Sequence, residues 1–183
     1  MSVVPLPHTL LDALRAEIAA ASWFAALGEP LIEGDRTDAR TYVDALGFGP
    51  IEIGLARDWP EAERLLQQPD SSDWWDREEE LRRALLAEAE RRYPKSVLWT
   101  ALTELTTHVG DLVHGKAATA AARMGGAAPA SIHVAAGAAA QAVYQLAVAR
   151  LAGHEDSLFE SKFRLFAAGR WPLGIVGSRL VLF

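Results

Sequence analysis

A chain of 183 residues, half of them apolar and 23% charged, is long enough to bury one full core and too short to expect two domains. Its formal net charge of -6 and pI near 5.4 argue against general nucleic-acid binding, which needs a basic face for phosphate. The absence of cysteine excludes disulfides, thiolate metal sites, iron–sulfur clusters and cysteine nucleophiles.

The start lacks the basic n-region of a signal peptide, and Asp12, Arg15 and Glu17 interrupt any apolar run, so a soluble, cytoplasmic chain is expected. Thr9 is placed to cap a first helix running through Leu27, with Leu10, Leu14, Ile18 and Ala21 on one stripe. Turn formers follow at Gly28, Pro30, Gly34 and Asp35, then a short helix from about Asp38 to Leu46, stopped by Gly47-Phe48-Gly49-Pro50. Ile51 to Leu55 alternates strictly and suits a short strand.

Asp58-Trp59-Pro60-Glu61 combines an N-cap aspartate, a first-turn proline and glutamate at N3, and opens a helix to about Gln68, before Pro69. Ser72 or Asp73 starts a long charged helix to Tyr93 with Leu81, Leu85, Leu86 and Ala89 inward. On it Glu78, Glu79 and Glu80 face Arg82 and Arg83 as a solvated face. Ser96 to Arg123 reads as helix, bent near Gly110 and Gly115, and Gly125-Gly126 as a turn.

Met124 to Ala149 carries no charge and is long enough to span a bilayer. Its Pro129, Ser131, His133, Gln141 and Gln145 favour instead a central helix, Pro129 to Ala152, whose alanines allow close approach; no membrane partner is expected. Gly153 and Gly169 bracket a last helix of roughly Asp156 to Ala168. Leu173–Val176 and Arg179–Phe183 then form a hairpin about a Gly177-Ser178 turn, packed on the bundle and open to Ile51–Leu55 as a third strand. The predicted fold is mostly α: a single antiparallel helical bundle, residues 1–183, with a small C-terminal β-hairpin at about 173–183.

The densest polar pattern is Glu104-x3-His108-x2-Asp111-x2-His114. The first three share one helical face and His114 sits at its margin, where carboxylates and imidazoles can hold iron, manganese or zinc. The sub-pattern Glu104-x6-Asp111-x2-His114 resembles the ligand helix of haem-oxygenase-like di-iron proteins over eleven residues. That resemblance implies a metal pocket in the bundle. The second ligand helix such proteins use reads Gly137, Gln141 and Tyr144 at the equivalent spacing, so His133, His154 or a further carboxylate must complete the set. The competing reading is a polar face opposite Leu98, Leu102, Leu105, Val109 and Leu112. His133, Gln141, Tyr144 and Gln145 on the alanine-rich helix are candidate pocket-lining groups or satisfied core polar groups. Gly110 to Ala117 falls short of a phosphate-binding loop, because Leu112, Val113 and His114 fill it and Ala117 replaces the hydroxyl.

Adjacent Trp74 and Trp75 point to different faces of a helix start, so one is expected at the surface or an interface, with packing beneath the long charged helix as the alternative. The last 23 residues, from Ser161, carry Lys162, Arg164, Arg170 and Arg179 with no carboxylate. Lys162, Arg164 and Arg170, with Trp171, are candidates for an anion site or partner contact, or for pairing with the acidic stretch Asp73–Glu80. The expected function is that of an accessory or interaction protein, engaging a protein partner or a second copy through these aromatics and the cationic segment. The alternative is a small-molecule enzyme or binding protein with a polar, metal-binding pocket.

Overall fold

The computed structural model describes residues 8–68 and 73–183, which form seven helices and three strands. In chain order these are α1 (His8–Ala20), α2 (Glu33–Ala45), β1 (Glu52–Leu55), α3 (Trp59–Leu66), α4 (Trp74–Arg92), α5 (Lys95–Arg123), α6 (Pro129–Leu151), α7 (Leu158–Ala167), β2 (Pro172–Val176) and β3 (Arg179–Leu182). The chain is mostly α, a helical bundle with a small sheet, as its periodicity predicts.

α6 lies at the centre, against α5, α4 and α7, while α2 covers α7. The reason is steric. From Gln145 to Ala149 every position of α6 is buried, and alanine lets neighbouring helices approach from several sides. By length and composition α6 is also long and apolar enough to cross a membrane, a test that a core helix passes equally; 56% of its apolar window is buried inside the fold.

Two predicted helices differ at their ends. α1 stops at Ala20 rather than Leu27, and Thr9 follows His8 inside it instead of capping it. Beyond Ala20 the chain turns so that Trp23 and Phe24 enter the core, Trp23 edge-on to Phe163 (5.8 Å) and Phe24 edge-on to Phe166 (6.1 Å). The Trp23 indole donates to the Ile18 carbonyl at 2.9 Å, and burying two large rings outweighs continuing the helix. α2 begins at Glu33, before the expected Asp38, because the Asp35 carboxylate accepts the Ile32 N–H at 3.1 Å and holds the first turn. Turn-forming residues there act as helix starters.

Asp58 caps α3 as predicted, accepting the Glu61 N–H at 2.8 Å. Pro69 and Ser72, expected to end α3 and start α4, lie outside the described residues; Asp73 immediately precedes α4. α5 runs as one helix through Gly110 and Gly115. On α4 the expected solvated glutamate face is corrected at one position. Glu78 belongs to the inner stripe with Leu85 and Ala89 and is buried.

The C-terminal hairpin forms as predicted and recruits the third strand. Gly177 takes φ 62 and Ser178 a negative φ, the pattern of a type II′ turn. Sheet order is β1-β3-β2, with β1 parallel and β2 antiparallel to β3. β3 is therefore the central strand. Trp171 and Phe183 exchange backbone hydrogen bonds of 2.7 and 2.8 Å. Their rings pack on Trp59, the two contacts measuring 5.9 and 5.3 Å between centroids.

Candidate functional site

Four polar side chains from four helices meet in the core. Glu78 (α4) is 1% exposed and Lys162 (α7) 7%. The Lys162 ammonium donates to both Glu78 oxygens at 2.7 and 2.8 Å and to the Gln145 Oε1 of α6 at 3.0 Å. An ammonium has three protons, so its donors are used up. Glu78 also accepts from the Tyr42 hydroxyl of α2 at 2.6 Å and from the Gln145 amide at 3.4 Å. Burial first, and the neighbouring Glu78 carboxylate second, push the Tyr42 hydroxyl well above its usual pKa, so it stays a donor. A buried ion pair persists only when its remaining lone pairs and protons are satisfied, as they are in this cluster.

Above this pair opens a cavity of about 240 Å³. Trp74, Trp171 and Phe166 wall it, Glu78 and Lys162 reach it from below, and Gln141 stands at its side. The Trp74 ring lies 5.8 Å from the Lys162 ammonium. Gly174 of β2, at φ +134, makes room for that ring, since a Cβ there would come within 3.1 Å of it. Around the mouth, Leu66 of α3, Trp75 of α4 and Val134 of α6 are 38%, 51% and 49% exposed. Thus Trp74 packs inward and Trp75 outward, the division expected from adjacent helical positions.

The tail cations take separate carboxylates. Lys162 binds Glu78, Arg164 binds Asp38 at 2.7 Å, and Arg170 lies 3.0 Å from Asp35. Arg170 is buried and also donates to the carbonyls of Ala26, Glu29 (2.7 Å) and Pro30 (2.7 Å), fixing the loop between α1 and α2. Arg179 pairs with Glu52 across β1 and β3 at 3.2 Å. Only Lys162 among the four meets a glutamate of the Asp73–Glu80 stretch.

Nearby on α4, Glu79 accepts from Arg82 at 2.6 and 2.7 Å and from Arg83 at 2.9 Å. These hydrogen bonds, the Arg82 pair foremost, lower its pKa to about 2. Arg82 also reaches the Tyr144 hydroxyl at 3.4 Å, so Tyr144 packs at this ion cluster and not in the tryptophan cavity.

The Glu104–His114 pattern is dispersed. Glu104, His108 and Asp111 are exposed, and Glu104 lines a separate cavity of about 690 Å³ with Leu11, Arg15 and Val97. Among the described residues no group of three or more His, Asp or Glu is arranged to hold a metal ion. His114 turns toward α6 instead and meets His133, ring centres 4.7 Å apart and planes tilted by 36°. His154 is elsewhere, 3.0 Å from Glu88.

No family model, curated protein or solved structure matches this chain, so the geometry stands as the ground for a functional reading. Sequence reasoning placed Glu78 only within the acidic stretch offered to the tail cations, and missed Tyr42. A signal for Glu78 was available: it falls seven residues before Leu85, on the same inner stripe of α4. Lys162 lies among Phe159, Phe163 and Phe166, and a cation inside an apolar run announces a buried partner.

Proposed function

We propose that this protein is an interaction module that docks a protein partner in the tryptophan-walled cavity above the Glu78–Lys162 pair. The observation that carries the reading is the mouth of that cavity. Leu66, Trp75 and Val134 come from three different helices and leave substantial apolar surface in solvent around one opening. Apolar side chains gathered around a concave site mark interaction surfaces, and tryptophan is over-represented among residues that dominate binding energy. The size of the cavity favours an inserted side chain over a free metabolite. About 240 Å³ lies below the roughly 300–1,000 Å³ typical of small-molecule pockets. The ion pair beneath has its charges matched and its donors used, so it supplies a rigid floor rather than a free charge.

The test compares wild type with Trp75→Ala and Val134→Ser, both surface changes expected to leave the thermal midpoint unchanged. Sedimentation velocity over a concentration series reads self-association, and affinity capture followed by mass spectrometry reads other partners. A partner or second copy retained by wild type and lost by both variants supports the reading. Identical behaviour of all three proteins in both measurements overturns it.

A further inference from the structure

We infer that His114 and His133 form a two-histidine clip for a late first-row divalent ion of the zinc, nickel or copper type, bridging α5 and α6. The two imidazoles come from different helices yet stand 4.7 Å apart, tilted by 36°. With metal–nitrogen bonds of about 2.0–2.1 Å, two imidazoles on one ion place their ring centres about 4.5 Å apart at a right angle and about 5.2 Å apart at the tetrahedral angle. The observed spacing falls within that range.

The surroundings favour a cation with open coordination. An open cavity of about 450 Å³ adjoins the pair, lined by Asp111, Gly110, Gly137 and small alanines, with no lysine or arginine in its wall. Asp111, one turn before His114, supplies negative charge. Gly110 and Gly137 sit inside α5 and α6, where glycine costs roughly 0.5–1 kcal/mol relative to alanine. A Cβ at either position meets nothing within 4 Å, so packing in this chain does not demand them. The space they leave is open to an ion's waters or to a ligand on that ion. Two imidazoles without a carboxylate pair suit zinc, nickel and copper better than manganese, which prefers oxygen. The site is independent of the tryptophan cavity, which neither histidine lines.

The experiment titrates the full chain with Zn2+ and, separately, Ni2+ by calorimetry, with wild type, His114→Ala, His133→Ala and the control His108→Ala. Both histidine partners are at least partly exposed, so far-UV circular dichroism is expected to be unchanged in all four; His114→Asn and His133→Asn are the replacements if it is not. One ion per chain, at least tenfold weaker binding in each pair variant and unchanged binding in His108→Ala is the expected result. A rise in thermal midpoint with Zn2+, abolished in the pair variants and reversed by chelator, is the second readout. No saturable binding by wild type overturns the inference. Affinity unchanged in the pair variants, or lowered in only one of them, overturns it equally.

Discussion

Two polar constellations in this molecule contrast sharply. Glu104, His108, Asp111 and His114 lie within eleven residues on one helix, yet the fold leaves the first three in solvent and sends the fourth to α6. Tyr42, Glu78, Gln145 and Lys162 are scattered over four helices, yet they converge into one buried, saturated network. The helix that presents a polar row to water needs no partner for it. A core that buries one carboxylate must bring every partner to it, because an unpaired charge in low dielectric is costly. Clustering in sequence is therefore a weaker sign of a site than isolation of a charge among apolar neighbours.

The contrast can be broken most forcefully at Lys162. Lys162→Met leaves Glu78 buried without its counter-ion and is expected to cost about 3–5 kcal/mol in urea denaturation. The double variant Glu78→Leu/Lys162→Met is expected to recover most of that loss, since a well-packed apolar pair replaces a satisfied ionic one at little net cost. A double variant as unstable as the single would mean that the network does more than satisfy itself. Tyr42→Phe removes one charge-assisted bond to Glu78 and is expected to cost about 1.5–3 kcal/mol in the same assay.

Glu79, beside Glu78 in sequence but on the outer side of α4, gives a smaller, pH-dependent effect. Its folded pKa of about 2 lies below the usual glutamate value of 4.5. Its stabilisation is thus fully present above the unfolded value and is lost as pH falls through the folded one. Acid unfolding followed by circular dichroism is expected to show that slope in wild type and a flattened one in Arg82→Gln. The α5 face should respond least. Gly115→Ala, where a Cβ meets nothing, is expected to raise stability by about 0.5–1 kcal/mol. Glu104→Gln, His108→Ala and Asp111→Asn are each expected to stay within about 0.5 kcal/mol of wild type. A loss of several kcal/mol at any of the three would erase the distinction between the two constellations.

Much of the fold was legible because its signals are local. The Asp58 cap, the buried alanine helix, the Gly177-Ser178 turn and the Ile51–Leu55 strand each depend on a few adjacent residues whose conformational preferences agree. The misread segments are those where tertiary packing overrides such preferences. Trp23 and Phe24 leave α1 early because their rings have a core to enter, and Glu33–Asp35 begin a helix despite turn-like composition. For the tail, sequence indicated an unusual cationic segment that packs. It did not indicate that β3 runs through the middle of the sheet, or that Lys162, Arg164 and Arg170 go to three different carboxylates.

The sequence by itself determined the helical class, the central place of the alanine-rich helix and the C-terminal hairpin. Periodicity and turn chemistry act over a few residues and need no knowledge of the rest of the chain. Only the tertiary structure decided that Glu78 would meet Lys162, 84 positions away, that three helices would ring one cavity with Leu66, Trp75 and Val134, and that His114 would face His133. Those pairings depend on how helices stack and rotate against one another. Burial then selects, from many carboxylates and cations of similar local character, the few that must find each other.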